Sequence, residues 1–441
     1  MKLKIYKKEL KQYTINHEIK NILFIASEIS KKYDKEVYLV GGQVRDIVLG
    51  NESNDLDFVV IEDAMDFLEK LHDRIGGEIK YYKNFLSGSI ELENGINIDV
   101  TTARKEIYEK PGMLPIVFKG NLLEDVKRRD FTINCLLADI KKLPDLEILD
   151  FVDGVRDLNN KKIRILHEKS FIDDPTRMIR AIRFAYKLGF EIEKDTKKLL
   201  FDSVEKGYVR FVSEDRIFRE IVKILSTNKK YVGIRMLYEY NLFQNTFLSN
   251  YIDEKTIEYF RIIENELSLI CNLYNITSES MDVINLLVLF HNADLNYLLE
   301  LFNKLNISRK IKKVIINIKN NYNHIDKLIN RDKISSVTIY KIIDLVNIEG
   351  LMYFAIINFD NNIFIEELIK YSEIYNKMKL FVSGENIKKY NLKPGPIYKQ
   401  IKDELIFNII TKKAYKEEEQ LEILNEIIKK SKRWHENDNN Q

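Results

Sequence analysis

Between residue 36 and about residue 165 the chain alternates short β-rich runs with helical ones. Residues 36–42, 56–61, 85–91, 96–101 and 146–151 predict strands, and residues 64–75 and 130–139 predict helices between them. That alternation describes a head built from both sheet and helix. From Pro175 to Pro394 there is no intervening proline and little glycine, while leucine, isoleucine, lysine and glutamate recur at helical spacing. The remainder is therefore predicted to be helical. The expected fold class is α+β: a small mixed sheet with helices, followed by an all-α stretch. No internal repeat stands out, and the richness in lysine, isoleucine and asparagine is chain-wide.

The most informative chemistry lies early. Leu39-Val40-Gly41-Gly42-Gln43-Val44-Arg45-Asp46 is followed closely by Asn54-Asp55-Leu56-Asp57-Phe58. Strand alternation puts Asp55 and Asp57 on one face, where two carboxylates can hold two divalent cations beside nucleotide phosphates. The run at 36–40 ends in two glycines, and residues 44–49 predict the first turns of a helix. Gly41 and Gly42 let backbone N–H groups approach phosphate oxygens, the helix N-terminus favours negative charge there, and Arg45 adds a fork of donors. This combination predicts a site for nucleotidyl transfer.

Four further motifs follow in order: Arg128-Arg129-Asp130-Phe131-Thr132-Ile133-Asn134, then Asp150-Phe151-Val152-Asp153-Gly154, then Asp173-Asp174-Pro175-Thr176-Arg177 continuing through Arg180 and Arg183 to Phe184, then Val212-Ser213-Glu214-Asp215-Arg216. With them the chain resembles, over nearly its whole length, the class II tRNA nucleotidyltransferases (the CCA-adding enzymes) and their relatives the bacterial poly(A) polymerases. Cys135 stands where that family commonly has alanine, and Asp215 where glutamate is usual; neither departure removes a group the chemistry needs. The resemblance implies a polymerase-β-like catalytic head at 1–160, a base-selecting neck at 161–232, a helical body at 233–330 and a tRNA-binding helical tail at 331–441. It also implies template-independent addition of C, C and A to the tRNA 3′ end. The implied partners are the tRNA acceptor arm, CTP and ATP, with no protein partner, and the implied cofactor is Mg²⁺, two ions, held by Asp55 and Asp57.

Residue roles follow from the same match. Asp99, in the predicted strand at 96–101, corresponds to the third carboxylate and either accepts the hydroxyl proton or supports a metal. Arg129 matches the arginine that reaches the triphosphate, and Asp130 is expected to cap a helix beginning at Phe131. Asp174 and Arg177, three positions apart at the start of a helix, offer acceptors and donors to the Watson–Crick edge of an incoming base, selecting CTP and ATP without a template. Arg180 and Arg183 continue that side of the helix toward the triphosphate and the packing around it. Ser213 to Arg216 is expected to buttress this helix without touching substrate. Residues 101–125 are too irregular for one element and occupy the position of the family's flexible loop, with Arg104 at its base. Basic segments at 308–313 and at Lys388, Lys389, Lys393 and Lys399, with Tyr390, Tyr398 and a turn at Leu392-Lys393-Pro394-Gly395-Pro396, either meet RNA phosphate or form ordinary surface.

Composition narrows the class without deciding it. Lysine plus arginine number 70 against 68 acids, a formal charge of +2, so RNA affinity must come from local patches. There is no apolar run long enough for a membrane span, and the basic N-terminus lacks an apolar core for export, which predicts a cytoplasmic protein. The two cysteines, Cys135 and Cys271, imply neither zinc nor a disulfide framework. Alternatives within the enzyme class are a CC-adding or an A-adding specialist. A poly(A) polymerase is disfavoured by the missing long basic C-terminal extension, and a non-catalytic RNA-binding relative by the retained metal ligands.

Overall fold

The computed structural model describes residues 3–9, 16–51, 55–331, 333–390 and 395–438, with side chains described as far as residue 430. Asn54, the turn residues 392–394 and, of the basic N-terminal segment, Met1, Lys2, Leu10 and Lys11 lie outside them. The chain divides into two compact units: residues 1–224 with 232–249, and residues 225–231 with 250–441.

The first unit is organised by an eight-stranded mixed sheet. Its strands are β1 (Lys4–Glu9), β2 (Val37–Val40), β3 (Asp55–Val60), β4 (Glu78–Tyr82), β5 (Ser87–Glu91), β6 (Asn97–Thr102), β9 (Leu137–Asp139) and β10 (Asp145–Asp150), in the order β1-β10-β9-β2-β3-β6-β5-β4. A separate hairpin pairs β7 (Arg104–Ile107) with β8 (Ile116–Lys119), and β11 (Lys162–Ile163) pairs with β12 (Glu191–Ile192). Helices α1 (His17–Lys32), α2 (Gly42–Leu49) and α3 (Ala64–Ile75) follow the early strands.

Alternation along β3 explains the layering. Leu56, Phe58 and Val60 are fully buried, and Phe58 meets Phe67 of α3 edge to face at 6.0 Å. Helix α3 qualifies for that position because Phe67, Leu68 and Leu71 make one apolar stripe and Asp63 caps its N-terminus through Met65 N–H. Period two then sends Asp55 and Asp57 to the opposite face. Val59 on that face joins Val40, Ala103, Val126, Cys135 and Leu137 in a small core beneath the site.

The helix predicted at 130–139 is not there. The stretch holds one 3-10 turn, Thr132–Asn134, and then β9, which lies between β10 and β2. Phe131, Ile133, Cys135, Leu136, Leu137 and Ala138 are all fully buried, and a continuous apolar run of this kind carries no period that separates a central strand from a buried helix. Asp130 accordingly caps a turn, accepting Phe131 N–H at 2.8 Å and Asn134 Nδ2 at 3.0 Å. The segment at 101–125 is more regular than expected: it contains β7 and β8 in antiparallel register and the start of α4 (Leu122–Lys127), capped by Asn121.

Beyond the sheet, α5 (Gly154–Asn159) and α6 (Ser170–Asp173) lead to α7 (Thr176–Leu188), α8 (Lys194–Glu205) and α9 (Glu214–Leu225). The Asp150–Gly154 motif is architectural: Asp150 is fully buried and its carboxylate accepts N–H bonds from Val152, Gly154 and Val155. A Cβ on Gly154 would stand 2.4 Å from the Thr132 carbonyl oxygen, so this turn requires glycine.

The second unit is helical, with its longest elements at Arg309–Ile329, Ser336–Ile357 and Glu417–Asp438. Inside it His291 accepts or shares a proton with Tyr353 Oη at 2.9 Å, and burial, then Lys319 and Lys255, push its pKa down from 6.5 to about 4. A lowered base binds fewer protons folded than unfolded, so its contribution is full above pH ~6.5 and is lost as pH falls toward ~4. Wild type is expected to lose on the order of 3 kcal/mol across that window from this group, and His291→Gln to show a flatter profile in urea titrations taken at several pH values.

Candidate active site

The turn after β2 sets the geometry. Gly41 sits at φ 70° and ψ −134°, where an L side chain is strained, and a Cβ there would lie 3.3 Å from Asp57 Oδ2 and 3.5 Å from Arg129 Nη1. Backbone, carboxylate and guanidinium thus converge at one point. The parallel register of β3 with β6 sets Asp57 directly beside Asp99 and Asp55 beside Asn97, so the three predicted carboxylates share one face at the centre of the sheet.

Their electrostatics are unfavourable as they stand. Burial first, then Asp99, raises the pKa of Asp57 to about 6, with Arg129 acting in the opposite direction. Partial desolvation and Asp55 also raise Asp99, although its side chain stands exposed at the rim. Acids that repel one another at a cleft call for a positive partner. The donors are all oxygen and suit a hard dication such as Mg²⁺, which typically takes one or two carboxylates and shares the rest of its coordination with phosphates and water. Among the described residues no group of three or more His, Cys, Asp or Glu side chains is gathered closely enough to hold a metal ion by itself.

Arg128 and Arg129 stand at the next step outward. Burial alone would raise Asp125, but Arg129 and Arg128 outweigh it and hold this fully buried carboxylate below its ordinary pKa. Arg129 donates Nε and Nη2 to Asp125 Oδ2 at 3.2 and 2.8 Å, leaving Nη1 toward Gly41. Arg128 bridges Asp125 and Glu106. These two arginines line both of two neighbouring cavities. The first, 460 Å³, includes Asp57, Asp99, Tyr82, Phe85 and Arg104 in its walls. The second, 360 Å³, includes Glu106, Tyr108, Asp174, Thr176, Arg177 and Arg180.

Asp174 and Arg177 therefore come together, as the sequence predicted, at the start of α7. Asp174 Oδ1 accepts from Thr176 N–H, Thr176 Oγ1 and Arg216 Nη2 at 3.1, 2.6 and 2.9 Å. Oδ2 is its oxygen without a hydrogen bond among the described residues. Arg177 is only 4% exposed and donates to the Arg128 carbonyl at 2.6 Å and to Ser170 Oγ at 3.3 Å. It both lines the cavity and fastens α7 to the arginine pair.

Three arginines expected at phosphate are engaged elsewhere. Arg45 is 4% exposed, forks onto Asp46 at 2.9 and 2.8 Å and donates to Asn134 Oδ1 at 2.7 Å, so its fork ties α2 to the turn before β9. Arg180 pairs with Asp130 and Glu220, and burial of Asp130 is overcome by Arg180 and Asn134, which hold that carboxylate far below the usual range. Arg183 donates to Glu220 Oε2 at 3.2 Å and lies over the Phe184 ring. Asp130 and Glu220 outcompete solvent for these guanidinium groups because all of them are largely out of water. Of the three, Arg180 alone lines the second cavity.

Sequence reasoning gave no site role to Glu106, Tyr108, Thr176 and Glu220, and expected of Arg216 only that its segment buttresses α7, which its bond to Asp174 does. Alternation in β7 puts Arg104 and Glu106 on one face, with Glu106 accepting from Arg104, Arg128 and Tyr108, and that much was readable. Arg216 also donates to the Gly112 carbonyl at 2.6 Å, tying the β7–β8 hairpin tip to Asp174. No local signal announces such a long-range bridge.

A mixed sheet carrying paired carboxylates beside a Gly-Gly turn, with a helix-borne acid and arginine opposite, defines a nucleotidyltransferase head. Residues 37–164 match the family described as "Poly A polymerase head domain", and residues 189–250 that described as "Probable RNA and SrmB- binding site of polymerase A". The chain is 39% identical over 198 residues to the A-adding tRNA nucleotidyltransferase of Geobacter sulfurreducens, covering 45% of this chain and 22% of that protein. It is 33% identical over 215 residues to that of Halalkalibacterium halodurans, covering 48% and 50%. With the CCA-adding enzyme of Lactococcus lactis subsp. cremoris it shares 26% over 414 residues, covering 89% and 92%. The first curated relatives are thus matched over only about a fifth to a half of their own length. Among solved structures, a CCA-adding enzyme in its apo form II superposes with a TM-score of 0.76 at 24% identity, covering 96% of this chain and 99% of that one. The Thermotoga maritima CCA-adding enzyme complexed with tRNA gives 0.73 at 23%, with the same coverage. Residues 37–164 thus carry the poly(A) polymerase head-domain pattern, and the chain as a whole shares the fold of CCA-adding enzymes.

Proposed function

We propose that the protein is a template-independent tRNA nucleotidyltransferase that builds the 3′-terminal CCA from CTP and ATP. The observation that carries this reading is the union, through Arg128 and Arg129, of a carboxylate cavity with a second cavity lined by Asp174 and Arg177. One suits a reacting phosphate and the other a base edge. The functional division into head 1–160, neck 161–232, body 233–330 and tail 331–441 belongs to the same proposal.

In the reaction the RNA 3′-hydroxyl attacks the α-phosphorus of the nucleotide, forming the new phosphodiester as the bond to pyrophosphate breaks. Asp55 and Asp57 would hold two divalent cations, whose chemistry when bound is to lower the hydroxyl pKa and neutralise charge on the leaving oxygens. Asp99, with its raised pKa and its place beside Asp57, is suited to take up the hydroxyl proton. Arg129 Nη1 and the Gly41-Gly42 backbone receive the triphosphate. Asp174 Oδ2 accepts from the exocyclic amino group shared by cytosine and adenine, and Arg177 donates to the adjoining ring nitrogen or carbonyl. UTP and GTP present the opposite pattern at that edge.

A second reading, addition of the terminal A alone, is raised by the A-adding relatives, which are 33–39% identical over stretches of 198–215 residues, whereas CCA-adding relatives are 35% identical over 195 and 196 residues. Purified protein incubated with tRNAs ending at the discriminator base, after the first C and after the second C, each with CTP, ATP or both, separates them. Extension of all three acceptors is expected. Extension only of the acceptor ending in CC, and only by ATP, would replace CCA addition by A addition.

A further inference from the structure

Two substrates must meet at Asp57, and the cavity beside Asp174 accommodates the one whose base is chosen. The other cavity carries different chemistry. Its wall includes the tip of the β4–β5 hairpin, where Tyr82 is 45% and Phe85 39% exposed, two large rings left in solvent beside carboxylates.

The tip is built to hold them. Leu86 sits at φ 50°, a left-handed conformation that a leucine adopts only when its surroundings impose it. Its carbonyl accepts from Thr102 N–H at 2.9 Å, and the Phe85 carbonyl accepts from Arg104 Nη1 at 2.5 Å. Arg104 is itself fixed by Glu106 at 3.1 Å. The backbone under both rings is therefore tied to β6 and β7, and β6 is the strand that carries Asp99.

We propose that Tyr82 and Phe85 form a stacking platform for the terminal base of the acceptor RNA, setting its 3′-hydroxyl beside Asp57. This inference rests on the nucleotidyltransferase reading. An incoming base must be discriminated, which needs directed donors and acceptors of the kind Asp174 and Arg177 supply. The acceptor end changes identity each time a nucleotide is added, so its subsite must hold any base. Aromatic faces do this because every base has a π-face.

The test uses the full chain and an RNA hairpin, shaped as an acceptor end, whose last nucleotide is 2-aminopurine. Quenching of its fluorescence on binding to wild type is expected, and its loss in Phe85→Ala and in the Tyr82→Ala/Phe85→Ala double variant. The acceptor KM should rise about 5- to 150-fold with the nucleotide KM unchanged, and Phe85→Trp should restore both signals. Both rings are exposed, so thermal unfolding should be unaltered by these changes. Unchanged quenching and acceptor KM in the double variant would overturn the platform, as would a rise confined to the nucleotide KM. Failure of the functional reading shows differently: wild type would extend no tRNA at all, whatever the fluorescence does.

Discussion

Replacing Asp57 with alanine is expected to abolish nucleotidyl transfer while leaving the protein folded. The carboxylate lies beside Asp99 and against Gly41, and its raised pKa records a site that spends stability to keep an anion in place. Without a metal, an uncharged side chain should suit that environment better, so Asp57→Asn and Asp57→Ala should unfold at temperatures equal to or above wild type near pH 7. Divalent cations should raise the wild-type midpoint and leave both variants unmoved. Charge stabilisation by a catalytic metal is worth several kcal/mol, so turnover should fall by about three decades or more. Asp55→Ala should behave alike. Near-normal turnover in Mg²⁺ by either alanine variant would remove these residues from the chemistry.

The second large effect is expected at Asp174. Its Oδ1 is committed to Thr176 and Arg216, so replacement by alanine removes the acceptor proposed to read the base and also releases Arg216, which holds the tip of the β7–β8 hairpin. Losing one hydrogen-bonding partner in a partly buried site costs roughly 1–3 kcal/mol, about one to two decades of discrimination. The ratio of CTP or ATP incorporation to UTP and GTP incorporation should fall by that amount, with triphosphate affinity largely kept by Arg129. Arg177→Ala should relax selection too, and should cost stability besides, because the Arg128 carbonyl loses its donor. If both variants lost rate and kept wild-type ratios, base selection would belong elsewhere.

Much of this site could be read before any coordinates. The Gly41-Gly42 turn, β3, β6 and α3 were legible because their patterns are local: two glycines at a strand end, alternation through Asp55, Leu56 and Asp57, a capped apolar stripe from Ala64 to Ile75. The parallel pairing that sets Asp57 beside Asp99 is a tertiary choice that the local pattern of neither strand contains. β9 was misread because burial on both faces erases the period, and the edge strands β1 and β4 were passed over because exposed, charged runs such as Lys4–Glu9 carry little alternation. The arginines teach a different lesson. An arginine near a phosphate motif looks like a phosphate ligand, yet Arg45 finds Asn134 eighty-nine positions away, Arg180 finds Asp130 and Arg183 finds Glu220. Which acceptor wins a guanidinium is decided by tertiary packing, and so is the Arg216 bridge. Motif spacing contains neither.

The central claim is that side chains of this protein choose the nucleotides added to a tRNA end. The most direct measurement offers all four nucleoside triphosphates together with Mg²⁺ to tRNAs ending at the discriminator base and in CC, and then sequences the product 3′ ends. The account predicts that both acceptors finish as CCA and stop there. Homopolymeric or mixed tails, or no extension of either acceptor, would contradict it.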